Sequence, residues 1–221
     1  LFPYSDVDLL ILLPNQSSAA LNQKVEQVIG LLWDIGLAVG HSVRNLDECV
    51  NEAQKDVTVQ TNLLESRFLT GNRTLFDSFQ EKMADAMDVS HFYRAKVEEQ
   101  EQRYRRFNDT AYNLEPNIKE SPGGLRDLQI ILWLTRAAGL GDNWNALVKR
   151  DLITPAELRQ IRRHEQHLQR LRIHLHYMAK RREDRLIFDL QNTLAEELGF
   201  SNNKRHRASE QLMHAYYRSA K

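Results

Sequence analysis

Two carboxylates two positions apart, Asp6 and Asp8, stand at the head of the apolar run Leu9-Leu10-Ile11-Leu12-Leu13. Side chains alternate faces along a strand, so in an extended segment these two project from the same side. Like charges that close repel, and each costs free energy to strip of water. A divalent cation held between them removes both penalties, and Mg²⁺ is usually held by one or two carboxylates plus substrate phosphates. A solvated turn with an Asx cap produces the same spacing, so the pair alone leaves both readings open.

A second group of residues with chemistry lies far along the chain, in Asn117-Ile118-Lys119-Glu120-Ser121-Pro122-Gly123-Gly124-Leu125-Arg126-Asp127. Paired glycines just before a helix let backbone N–H groups approach an anion at the positive end of the dipole. Lys119 and Arg126 supply full charges that could reach the same phosphate. The alternative is a plain turn and helix start, with Asp127 as a favourable first-turn acid. Four histidines, His164, His167, His174 and His176, invite a metal reading as well. His164-Glu165-Gln166-His167 is one residue short of H-E-x-x-H, which aligns two ligands on one helix face. They read instead as surface or interhelical groups.

The elements that must carry these groups change character along the chain. The run Leu9 to Leu13 fits a strand buried on both faces. A helix follows from Ala19 to Asp34, then a strand from Leu37 to Arg44, which makes an α/β unit. Asn45 and Glu48 form a capping-box start for a short helix through Ala53. Asp56 to Leu69 mixes strand-like Val57-Thr58-Val59 with helical spacing and is assigned to helix. Beyond Asn72 the β signal disappears. Helices are predicted to Met87 and from Ser90 to Phe107, the latter with an Arg- and Glu-rich face read as solvated. The long irregular stretch 108–125 leads into a helix over Leu128 to Ala138. Thr154-Pro155 opens a long helix to Arg182, followed by helices over Leu190 to Leu198 and to Tyr217.

With 42% hydrophobic residues in 221, the chain has the composition of a globular protein. Lys plus Arg and Asp plus Glu balance at 30 each, which argues against a sequence-independent grip on nucleic acid. Cys49 is the only cysteine, so a disulfide framework and a Cys-based zinc site are excluded, and a reducing cytoplasm fits. No apolar stretch approaches the roughly 18 residues that span a membrane. The opening directly on a strand, without Met, reads as that of a fragment.

Two segments together go beyond composition. Leu1-Phe2-Pro3-Tyr4-Ser5-Asp6-Val7-Asp8-Leu9-Leu10 resembles the second half of the nucleotidyltransferase motif of polymerase-β-like enzymes. Asn117 to Gln129 resembles the signature that links this domain to a helical partner in the bacterial PII-protein uridylyltransferase / uridylyl-removing enzyme family. Gly40-His41-Ser42-Val43-Arg44, Thr61 to Leu69 and Asp184 to Gln191 agree in collinear order.

The resemblance implies α/β followed by mostly α: an N-terminally truncated nucleotidyltransferase domain over 1–71, connecting helices over 72–116, and a helical substrate- and nucleotide-binding domain over 117–221. It implies a cytoplasmic, nitrogen-sensing enzyme that moves UMP from UTP to a tyrosine of the PII signalling protein. Asp6 and Asp8 would be catalytic and hold Mg²⁺, while Ser5, Lys119, Gly123, Gly124 and Arg126 would face the nucleotide. The family's glycine-rich, triphosphate-gripping segment would precede Leu1. A third metal-binding carboxylate is expected on the next strand, but Val39 to Arg44 offers none; Asp56, Glu65 and Asp127 are the candidates, with Asp56 preferred. The family's uridylyl-removing and glutamine-sensing domains have no counterpart in these residues. A related reading is the adenylyltransferase of glutamine synthetase, which shares the paired aspartates and a Gly-Gly-x-Arg element. A reading of another class is a noncatalytic helical interaction module.

Overall fold

The computed structural model describes residues 2–37 and 39–221. Leu1 of the opening motif and Ala38 of the predicted second strand lie outside the described residues. Contacts divide the chain into two compact units: Asp6–Phe92, and residues 2–5 together with Tyr93–Lys221. The first is α/β and the second is helical.

In the α/β unit, β1 (Val7–Leu12) pairs in parallel with β2 (Val39–Arg44), joined by α1 (Ala19–Asp34). A parallel pair needs such a crossover, because its two strands start at the same end. Ser18 caps α1 by accepting from the Leu21 N–H at 3.2 Å. Among the described residues the sheet has these two strands. Along its apolar run β1 is half-buried instead of enclosed on both faces.

The predicted capping box forms at α2 (Leu46–Lys55): Glu48 N–H donates to Asn45, and Asn45 N–H to Glu48. The ambiguous stretch resolves into α3 (Val57–Leu64), shorter than predicted, and the helix expected to Met87 is α4 (Arg73–Asp85). Cys49, Ala53, Leu63, Phe76, Phe79 and Met83 form the core under Leu10 and Leu12 of β1. Thus α4, assigned from sequence to the connecting helices, packs with α2 and α3 in this unit.

Burial pushes the Cys49 thiol up to about 11. Relative to an ordinary thiol, that leaves about a hundredfold less thiolate at neutral pH. Native protein should therefore resist an alkylating reagent that labels the urea-unfolded chain readily. Labelling of folded protein at the rate of a free thiol would contradict the burial.

The helical unit contains α5 (Val89–Arg105) from Tyr93 onward, α6 (Leu125–Ala137), α7 (Trp144–Lys149), α8 (Pro155–Ala179), α9 (Phe188–Glu197) and α10 (Ala208–Ala220). The sequence reading missed α7, because six residues are too few to show a helical period; Asn143 caps it through the Ala146 N–H. Thr154 and Glu157 form the capping box that starts α8, with Pro155 at its first position. Leu171 and Leu175 of α8 pack with Leu194 of α9, Leu212 of α10, and Ile118 and Leu186 from the loops.

Candidate active site

Asp6 and Asp8 are exposed and line one shallow depression together with Trp33, Val39 and Gly40. The register sets Asp8 directly opposite Gly40 on β2. A Cβ at position 40 would stand 2.8 Å from Asp8 Oδ1, so any larger residue there would displace the carboxylate. Glycine therefore leaves the space in front of Asp8 open. Trp33, half-exposed at the end of α1, completes the wall and meets the His41 ring edge-on at 5.4 Å between centroids.

Asp56 does not extend this group into a triad. Its carboxylate caps α3, accepting from the Thr58 N–H at 2.7 Å. Among the described residues, no three His, Cys, Asp or Glu side chains gather as a metal-holding cluster. What the α/β unit offers a cation is two carboxylates, one short of the set expected from the resemblance.

In the helical unit, the 117–127 segment is a tightly bonded knot. Asn117 Oδ1 accepts from the N–H groups of Lys119 and Glu120, and Ser121 Oγ accepts from Asn117 N–H. The Ile118 N–H donates to Asp184 O, and Asn117 bridges to Arg185, tying the loop to the segment after α8.

The backbone donors at the start of α6 are spent internally. Gly124 N–H goes to Ser121 O, Leu125 N–H to Ile118 O, Arg126 N–H to Lys119 O, and Gly123 N–H to the Asp127 carboxylate. The geometry therefore favours the structural reading of the two glycines over an anion cradle. Gly123 has φ +75°, and a Cβ on it would fall 1.7 Å from Ala220 O. A Cβ on Gly124 would meet three carbonyl oxygens at 2.8 Å. Gly123→Ala should cost about 3 kcal/mol, from left-handed backbone plus collision with α10, read from the urea midpoint at constant m. Gly139→Ala is the control, because it shares a positive φ of +66° but has nothing within 4 Å. Equal losses at the two positions would remove the packing argument.

Arg126 donates to Glu120 at 3.1 Å and Gln129 at 3.0 Å, and lies 5.1 Å from the Trp133 ring centroid. Lys119 is mostly buried, 3.7 Å from Glu120. Burial first, then the Arg126 guanidinium, holds its ammonium below the usual range. Lys119 and Arg126 both lie against Glu120, and Arg172 and Asp184 also act on the Lys119 ammonium.

Asp127, a candidate third metal ligand, is saturated within the protein. Its carboxylate accepts from Gln100 at 3.2 Å, Tyr104 at 2.7 Å, Gly123 N–H at 2.7 Å, and the Arg103 guanidinium. Arg103 was read as part of a solvated face, yet it is buried and also donates to Glu120 O at 2.7 Å. The polarity of α5 carried no sign of this, because its spacing suits a solvated helix equally well. Of the histidines, His164 approaches Ser219 and His174 approaches Glu197, each at 3.3 Å, while His176 is fully buried. The paired aspartates and the Lys119–Arg126 pair belong to different units.

Comparison with known proteins gives a class first. Over its whole length the chain is 53% identical to the bifunctional uridylyltransferase/uridylyl-removing enzyme of Chromobacterium violaceum. It is also 53% identical to that of Burkholderia orbicola and 54% identical to that of Aromatoleum aromaticum. It spans 26% of each of these relatives. No solved structure matches it. The family model described as GlnD PII-uridylyltransferase matches residues 91–221, more than half of the chain. The chain belongs to that family.

Proposed function

We propose that this chain is the nucleotidyl-transfer region of a PII uridylyltransferase with a polymerase-β-like catalytic domain. It would act in the cytoplasm, moving UMP from UTP to a tyrosine hydroxyl of the PII protein with release of pyrophosphate. The observation that carries the reading is the exposed Asp6–Asp8 pair beside Gly40, in a chain of this family.

The pair fits Mg²⁺. Both carboxylates are exposed, they line one depression, and Gly40 leaves the space in front of Asp8 open. Water and substrate phosphates complete such a shell. When bound, the ion would neutralise charge on the triphosphate and lower the pKa of the attacking hydroxyl. The protein's own task is positioning: Asp6 and Asp8 orient the reacting end, and Ser5 stands next to them in the chain. In the helical unit, Lys119 and Arg126, both paired with Glu120, are the cations whose chemistry suits the nucleotide's phosphates. Gly123 and Gly124 serve by holding that loop in shape.

The test is a transfer assay with PII, Mg²⁺ and labelled UTP or ATP, on the chain extended upstream by the family's glycine-rich segment. UMP on PII is the expected product. AMP on glutamine synthetase would reassign the chain to the adenylyltransferases. No transfer, with a melting temperature indifferent to Mg²⁺-UTP, would make it a noncatalytic helical module.

A further inference from the structure

His176 lies in the last turn of α8, fully buried, with an acceptor against each ring nitrogen. Nδ1 meets the carbonyl oxygen of Pro3, and Nε2 stands 2.9 Å from Asp184 Oδ1. A carbonyl oxygen can only accept. The Asp184 carboxyl is held below its usual range: burial opposes ionisation, but hydrogen bonds from Arg172 and His176 outweigh it. It too can only accept. Both ring nitrogens must then donate, which a neutral imidazole cannot do.

Two groups favour positive charge on the ring: the Asp184 carboxylate and the C-terminal end of α8. Arg172 occupies the remaining sites on Asp184, at 2.5 and 3.2 Å, and Arg182 approaches it to 3.9 Å. Lys119 is the other charged neighbour of that carboxylate.

The partner on the other side of the ring is the segment that leads into Asp6. Phe2 packs against the helical core, with the Arg172 guanidinium 4.1 Å from its ring centroid and the His176 ring 6.4 Å away. Ser5 N–H closes a turn onto Phe2 O at 3.1 Å, and Tyr4 sits in left-handed backbone at φ 56°. Residues 2–5 therefore belong to the helical unit, although the chain enters the α/β unit at the next residue.

We propose that His176 is a positioning residue, a buried imidazolium that clasps Pro3 O and so fixes the approach of the chain to Asp6 and Asp8. Its effect on transfer rests on the function proposed above; the clasp itself does not. Resonances of ¹⁵N-labelled histidine at neutral pH should show both ring nitrogens of His176 protonated. A neutral, single-tautomer ring would overturn the proposal.

His176→Phe keeps a ring against Phe2 but removes both donors. Chymotryptic cleavage after Tyr4, already half-exposed, should accelerate about tenfold or more as the clasp opens locally. An unchanged rate in a folded variant would overturn the clasp. In the upstream-extended protein the same variant should lower kcat and leave KM for UTP unchanged, and an unaltered kcat would overturn the positioning role. Should wild type transfer no nucleotide, the proposed function fails, and the resonance and cleavage results still decide the clasp.

Discussion

Asp8→Asn should abolish nucleotidyl transfer while leaving the protein folded. The side chain is exposed, and the bonds that hold residue 8 in the sheet come from the backbone paired with β2. Replacing a carboxylate with an amide of the same shape leaves that pairing alone. It also removes one of two neighbouring negative charges, so stability should change by no more than about 0.5 kcal/mol. Activity depends on the charge, because an amide is a poor ligand for a hard divalent cation. The expected loss is on the order of a thousandfold in kcat/KM, or about 4 kcal/mol of transition-state stabilisation. Asp6→Asn should behave likewise. Steady-state UMP incorporation and a urea titration on the same preparations measure both effects. Full activity in both variants would sink the assignment of this pair.

The largest stability loss is expected at Asp127, which the sequence offered as a first-turn acid or a metal ligand. Asp127→Ala removes the acceptor for four donors at once. The most costly of these to lose is the Arg103 contact, since that side chain is only 6% exposed and would be left with Glu120 alone. A buried cation that loses its partner costs about 3–5 kcal/mol. Burial first, and then the hydrogen bond to Asp127, pushes the Tyr104 hydroxyl up to about 12, so it remains a donor throughout the accessible pH range. The loss should appear as a lower denaturation midpoint at unchanged m. Asp127→Leu combined with Arg103→Met should recover much of it, since an apolar pair leaves no charge stranded. A loss below about 1 kcal/mol for Asp127→Ala would mean that Glu120 or solvent, not Asp127, satisfies Arg103.

The parts legible in the sequence were those set by local rules. The capping boxes at Asn45 and Thr154 form, because a cap involves residues three apart. The switch from strand-bearing to helical chain was visible in periodicity. Asp6 and Asp8 line one depression, as their two-residue spacing at the head of β1 allows. The failures share a cause as well. Arg103 and His176 are polar residues on helices whose spacing suits solvent, and only partners far along the chain take them out of it. The two glycines before α6 had two physical explanations, and sequence could not weigh them. The deciding atoms, Ala220 O and the Ile118, Lys119 and Ser121 carbonyls, come close only in the folded chain.

By itself, the sequence determined the chemistry on offer: two carboxylates at a strand head, Lys119 and Arg126 beside a glycine turn, and a set of collinear motifs. Side-chain type and spacing along one element are enough for that, because they act over a few residues. Tertiary structure alone decided which of these groups remain available. Asp8 keeps open space in front of its carboxylate because Gly40 is its neighbour across the sheet, whereas Asp127 is consumed by Arg103, Tyr104 and Gly123. A carboxylate's role depends on which donors reach it, and those donors come from parts of the chain that only folding brings together.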